Sequence, residues 1–332
     1  MQIFHQSVFE KWPLEDSSIQ VITTSPPYWG LRKYDIPDIT IGEWKGQYGL
    51  EETYQLYIEH TLLWAKEAWR VLKGDGVFFL NLGDSYNSHT SYAKTCGGII
   101  KKQIERNPEA LAKIPNRQSQ STVTDKCKLL IPHRVAVALI DEGWTLRNDL
   151  IWYKTNGMPE SVTDRFSKKF EYVFMLTKQA KYYFDLGAVR ERHAETSVTR
   201  AQRGVSENNK WVNGAQGQSP HGLSQPGLNV KHGGEGKILN PLGKNPGDVW
   251  SIPTQSSRSL SGEAHYAMWP EKLVERLIMC STRHGDIVLD PFAGSGTTIR
   301  VAERLNRCGV GIDLGYTELQ ERRMTNLQKE LL

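Results

Sequence analysis

Two short segments carry residue types whose spacing suits catalysis. The first, Thr24-Ser25-Pro26-Pro27-Tyr28-Trp29-Gly30, follows the β-rich run IQVITT. Consecutive prolines fix φ at two positions and supply no N–H, so the carbonyls of Ser25 and Pro26 are presented outward. Tyr28 then offers a flat ring on a stiff loop. This combination suits a planar heterocycle held by stacking, with Ser25 Oγ and the Pro26 carbonyl accepting from its exocyclic amine. Such an amine is a weak nucleophile because its lone pair is delocalised into the ring. Acceptors that orient its N–H bonds push the nitrogen towards sp³, and positioning and electrostatics then supply most of the rate.

The second segment, Asp290-Pro291-Phe292-Ala293-Gly294-Ser295-Gly296-Thr297-Thr298, sits where a strand passes into a helix. Gly294 and Gly296 permit a tight turn and close approach of a ligand. The helix start offers free N–H groups to a carboxylate or phosphate. A dinucleotide fingerprint would need a third glycine where Ile299 stands, and a phosphate loop would need a lysine that is absent. The next strand, CGVGID, ends at Asp313, placed to accept from two ribose hydroxyls. The ligand therefore carries a ribose and no pyrophosphate, and S-adenosylmethionine fits. The plain alternative is that the glycines only let helix pack on strand.

The elements around these segments read as α/β. IQVITT, a helix over Glu51 to Leu72 with apolar residues at helical spacing, and GVFFLNL form strand, helix, strand. A helix over Pro132 to Glu142 precedes two further β-rich runs, LRNDLIWYK and FEYVFMLTK. From Ala264 to Leu332 the pattern is helix, strand DIVLD, glycine turn, helix, strand CGVGID, helix, an arrangement with parallel strands. Residues 86–127 are polar and basic, a length of loop expected only where it is functional. Residues 190–250 are rich in Gly, Asn, Gln, Ser and Pro. A polar linker and a loop-built recognition segment are both compatible with that composition; Trp211, Trp250 and the basic residues favour the second.

Composition narrows the class. The chain has 332 residues, 39% hydrophobic, with 41 basic against 37 acidic side chains and a net charge of +4. No run approaches the ~18 apolar residues of a membrane span. The opening MQIFHQSVFEKW is not a secretory signal, and Cys96, Cys127, Cys280 and Cys308 form no CxxC pair. A cytoplasmic, reducing location is expected, with no membrane partner and no metal site. The mild positive charge is compatible with nucleic acid.

Together, and in this order, the two segments resemble the signatures of the DNA amino-methyltransferases that modify N4 of cytosine or N6 of adenine: a (Ser/Asp/Asn)-Pro-Pro-(Tyr/Phe) loop and a DPFxGSGT loop. Catalytic loop first and cofactor loop near the C-terminus is similar to the β group. RVLKGDGVFFLNLGDSY, LRNDLIWYKTNGMPESVTDRFSKKFEYVFMLTK, GDVWSIPT and AHYAMWPEKLVERLI also look like family blocks. The resemblance implies a Rossmann-like, seven-stranded and mostly parallel sheet, circularly permuted so that the chain enters at the third strand and the first two come last. It implies residues 1–189 as the catalytic part, with the basic loop 86–127, residues 190–250 as target recognition, and residues 251–332 as the cofactor part. Ser25, Pro26, Pro27 and Tyr28 would form the catalytic loop. Asp290, Pro291, Phe292, Gly294, Ser295, Gly296, Thr297 and Asp313 would bind S-adenosylmethionine. Members often carry an acid after the first short strand, where this chain has Gln6-Ser7.

Serine at the head of the catalytic loop follows the family trend for cytosine N4, with adenine N6 as the alternative. Methylation at C5 needs a cysteine nucleophile that usually follows proline, and no Pro-Cys occurs here. The target must leave the duplex to reach a cofactor, and stacking on Tyr28 would hold it. Candidate DNA contacts are Arg32, Lys33, Lys101, Lys102, Arg200, Arg203 and Lys210. His265 is read as positioning the helix on the cofactor side. The expected partner is double-stranded DNA, with a cognate restriction endonuclease as a possible companion; monomer and homodimer are both compatible. An RNA or protein-amide methyltransferase and a catalytically silent DNA-binding relative are the rival readings.

Overall fold

In the run Ile19–Thr24 (β2) all six side chains are buried, which places the strand in the middle of a sheet covered on both faces. The computed structural model describes residues 1–87, 120, 122–157, 160–203, 239–255, 269–315 and 320. Before β2 lies Gln2–His5 (β1), and after it the small hairpin Ile39–Ile41 (β3) and Trp44–Gly46 (β4). Gly42, at φ +57°, makes the turn of that hairpin. Helix Tyr54–Val71 (α1) starts at Thr53, whose side chain accepts from Leu56 N. It buries Tyr57, Thr61, Trp64, Ala68 and Val71 along one face. Strand Leu72–Leu82 (β5) follows, then helix Ile131–Asp141 (α2) and strands Thr145–Tyr153 (β6) and Phe170–Thr177 (β7). Helix Glu195–Arg203 (α3), strand Val249–Ser251 (β8), helix Glu271–Ser281 (α4), strand Ile287–Asp290 (β9), helix Thr297–Arg304 (α5) and strand Cys308–Asp313 (β10) complete the described elements.

The main sheet runs β1-β10-β9-β2-β5-β7-β6-β8. β7 is antiparallel to both β5 and β6, and the other neighbours are parallel. β10 and β9, last in the chain, lie between β1 and β2, so the permuted order that the resemblance implies is present. An eighth strand, β8, corrects the expected seven: Val249–Ser251 pairs beside β6, with Trp250 opposite Trp152 and both rings buried. From β9 the chain crosses through α5 to β10 on one side; from β2 it crosses through α1 to β5 on the other. The gap between β9 and β2 is therefore the topological switch point, where open α/β sheets take their ligands.

The chain divides into two compact units, residues 1–185 with 248–332, and residues 186–247. In the smaller unit, Glu191 and Lys244 form an antiparallel bridge, and His193 Nε2 lies 2.9 Å from the carbonyl of Asn240. The terminal helix read beyond CGVGID lies outside the described residues, except for Gln320.

Candidate active site

Both signature segments leave the switch point, and one side chain joins them. Thr24 Oγ1, at the end of β2, donates to Asp290 Oδ1 at 2.6 Å across 266 residues of sequence. Thr298 Oγ1, in the first turn of α5, donates to Asp290 Oδ2 at 2.7 Å, and Phe292 N donates to Oδ1 at 3.1 Å. Burial pushes the Asp290 carboxyl above its ordinary range, and these three donors oppose the rise. Both oxygens of Asp290 are thus engaged within the protein. Its place is beneath the glycine turn, which it ties to the end of β2.

The glycine turn is shaped by its own backbone and held by side chains from the segment that follows it. Gly294 and Gly296 have φ of +50° and +76°, a region glycine enters without steric cost. Gly296 stands immediately before α5. Asp313 Oδ2 accepts from Gly294 N at 2.6 Å and Oδ1 from Gly315 N at 2.8 Å. Burial raises this carboxyl to about 7 in spite of those bonds. Gln320 Nε2 donates to the Gly294 carbonyl at 2.7 Å, while its buried Oε1 has no partner among the described residues. Phe292 stacks on Tyr48 and meets Trp64 edge-on, with centroids 5.7 and 5.2 Å away. Pro291, Ser295 and Thr297 are buried in the turn, and Ser295 Oγ lies 3.4 Å from Thr297 Oγ1.

The proline loop is held by side chains from elsewhere. Tyr57 OH donates to the Pro27 carbonyl at 3.0 Å. Gly30 N donates to Gly49 O at 2.7 Å, Trp29 Nε1 to Glu51 O at 2.9 Å, and Ser85 Oγ to Trp29 O at 3.1 Å. Pro26 is buried, whereas Ser25, Pro27 and Tyr28 are half-buried. Ser25 Oγ lies 3.1 Å from Tyr28 OH and 3.3 Å from Asn81 Oδ1. Tyr28 OH lies 2.6 Å from Asn81 Oδ1 and 2.8 Å from Glu171 Oε2. Trp269 Nε1 donates to the same Asn81 oxygen at 3.0 Å, and Lys154 pairs with Glu171 Oε1. Burial, then Glu171, drive the Tyr28 phenol well above its ordinary value, so it stays protonated.

Sequence reasoning did not find Asn81, Glu171, Lys154 or Trp269. Each lies in a block with family resemblance or next to one, yet only the fold brings them to Tyr28. Arg32 is half-buried and Lys33 exposed on the segment after the loop. Gln47 pins that segment, accepting from Tyr34 N and donating to the carbonyls of Tyr34 and Ile36. Arg200 and Arg203 lie in α3. Lys101, Lys102, Lys210, Trp211 and His265 lie outside the described residues. The ends of the basic loop meet through Asn87, whose Nδ2 donates to Val123 O at 2.6 Å and whose Oδ1 accepts from Gln120 N at 2.9 Å. No metal-ligating group of three His, Cys, Asp or Glu side chains occurs among the described residues.

A family model described as DNA methylase (N6_N4_Mtase) matches residues 19–321. The Type II methyltransferase M.Cfr9I of Citrobacter freundii is 34% identical over 313 residues, 94% of this chain and 83% of the relative. M.SmaI of Serratia marcescens is 30% identical over 313 residues, 94% of this chain and 86% of the relative. Among solved structures, the PvuII DNA methyltransferase (cytosine-N4-specific) aligns with a TM-score of 0.57 and 19% identity, over 98% of this chain and 90% of that one. A putative DNA modification methylase from Thermus thermophilus, solved with S-adenosyl-L-methionine, aligns with a TM-score of 0.54 and 20% identity, over 98% and 93%. At that identity the likeness shows the fold.

Proposed function

The chain belongs to the N6/N4 DNA methylase family, and we propose that it transfers a methyl group from S-adenosylmethionine to the N4 amine of an everted cytosine in double-stranded DNA. The observation that carries this reading is the Thr24–Asp290 bond, which sets the amine-accepting loop and the nucleoside-holding turn at one switch point. The residues at the turn fit the donor. Asp313 offers a carboxylate beside the glycines, and Gln320 Oε1, without a partner among the described residues, offers a second buried acceptor. When bound, S-adenosylmethionine supplies an electrophilic methyl on a sulfonium.

The protein's own part is orientation. Ser25 Oγ and the Pro26 carbonyl accept from the target amine and concentrate its lone pair. The Tyr28 ring stacks on the base and replaces the neighbours it loses on leaving the duplex. Ser25 at the head of the loop favours cytosine over adenine by the family trend. Arg32 and Lys33 beside this loop, the basic segment 86–127 with Lys101 and Lys102, and the unit that holds Arg200, Arg203 and Lys210 contact phosphates and read base edges. A cognate restriction endonuclease as a companion is compatible with this reading, and so is an enzyme that acts alone.

The test is expression in a methylation-free host followed by nucleoside mass spectrometry of its DNA. N4-methylcytosine is the expected product. N6-methyladenine would move the target to adenine, and DNA free of both would overturn the reading.

A further inference from the structure

The catalytic tyrosine has an anchor that lies 143 residues away in sequence. Three donors, the hydroxyls of Ser25 and Tyr28 and the indole N–H of Trp269, converge on Asn81 Oδ1 at 3.3, 2.6 and 3.0 Å. A carbonyl oxygen has two lone pairs, so the three donors cannot all be served there; Ser25 Oγ also reaches Tyr28 OH at 3.1 Å, which leaves the phenol to donate its own proton to an acceptor. The Asn81 amide cannot swing away to relieve the crowding, because its Nδ2 donates to the Tyr172 carbonyl at 2.8 Å. Glu171 Oε2, 2.8 Å from Tyr28 OH, is the acceptor that completes the set. Its other oxygen is held by Lys154, whose ammonium lies 4.6 Å from the centroid of the Trp152 ring. A carboxylate makes the stronger bond to the phenol. The ring is also held at its face: a methyl group at Gly83 would lie 2.5 Å from Tyr28 Cδ2.

We infer that Glu171 is a positioning residue, which acts through the Tyr28 hydroxyl to fix the plane of the ring on which the target base stacks. The inference rests on the methyl-transfer reading of the site. Glu171 touches neither base nor cofactor in this account. Lys154 keeps the carboxylate paired and in place.

A double-mutant cycle on the full-length enzyme tests the link. Glu171→Ala should lower kcat about 10- to 100-fold with the cofactor KM within about twofold, and Glu171→Gln, which keeps an acceptor oxygen, should restore most of the rate. With pyrrolocytosine at the target position, Glu171→Ala should also brighten the bound complex, because the base stacks less well. In a Tyr28→Phe background, which lacks the hydroxyl, the loss caused by Glu171→Ala should shrink to under about threefold. If Glu171→Ala does not fold, Glu171→Leu with Lys154→Met removes both charges at similar volume, and the same cycle is read with it. Equal fold-losses in the two backgrounds, or an unchanged kcat in Glu171→Ala, would overturn the role of Glu171 while leaving methyl transfer standing. A wild-type enzyme that methylates no DNA would instead overturn the reading beneath it.

Discussion

The two loops at the switch point are held by different means. The turn proposed to bind cofactor, Asp290 to Thr298, is held by bonds within itself, by Asp313 and Gln320 from the segment that follows it, and by Thr24. The catalytic loop, Ser25 to Gly30, is held by Tyr57, Asn81, Ser85 and Glu171, all distant in sequence. Glycine gives the first loop its shape by permitting positive φ; proline stiffens the second, and remote side chains aim it. A turn of the first kind can be read from nine consecutive residues. One of the second kind needs the whole sheet.

If that contrast is right, substitutions in the two loops should damage different quantities. The largest effect is expected at the catalytic loop: Ser25→Ala or Tyr28→Ala should lower methyl transfer by about 100-fold or more, with the cofactor dissociation constant within about threefold of wild type, as read by calorimetry. Next, Asp313→Ala should weaken cofactor affinity about 10- to 100-fold, the equivalent of losing hydrogen bonds to a charged acceptor. Its kcat at saturating cofactor should fall far less. A normal dissociation constant would end the ribose assignment.

Thr24→Val breaks the bond between the loops and should trouble both. It deprives a buried carboxylate of one donor, which costs about 1–3 kcal/mol, so the melting temperature should drop by several degrees and kcat should fall along with it. An unaltered melting temperature would show that the two loops are held independently.

The smallest effect is one of pH. Burial raises the Asp313 carboxyl to about 7, so it is protonated below that pH and ionised above it. Ribose hydroxyls bond best to the ionised form. Cofactor affinity should therefore fall by up to about tenfold in all as the pH is lowered through 7, and level off above it. Asp313→Asn should abolish the slope. For the unliganded fold the sign reverses: a raised acid contributes stability at low pH, and that contribution fades between about pH 4 and pH 7.

The parallel core was legible because each strand is an apolar run beside a turn signal, and helix α1 because Tyr54, Tyr57, Ile58, Leu62, Ala65 and Trp69 recur at helical spacing; the structure buries Tyr54, Tyr57 and Ala65, leaves the other three half-buried, and centres the buried face on Thr61, Trp64 and Ala68. Hairpin β3–β4 escaped notice because its strands are three residues each, too short for a period to show. β8 is equally short, and it pairs with β6 in a register that sets Trp250 beside Trp152. At the site, residue types suggested Ser25, Tyr28, Gly294 and Asp313, and the structure brings the two segments that carry them to one switch point. They also suggested Asp290 as a cofactor ligand; in the structure it is buried beneath Thr24, Thr298 and Phe292, whereas Asp313, whose oxygens also accept from backbone N–H groups, is half-buried. Glu171 and Lys154 carry no local mark of function; each reads as a charged residue on a strand or at its end.

The central claim is that the target base meets the proline loop beside the cofactor turn. Once the methylated sequence is known, 5-iodocytosine at the target position can be photocrosslinked to the enzyme and the bound peptide identified by mass spectrometry. The account predicts attachment within Thr24 to Arg32, at Tyr28, and loss of that adduct in Tyr28→Ala. An adduct confined to other parts of the chain, undiminished in Tyr28→Ala, would contradict it.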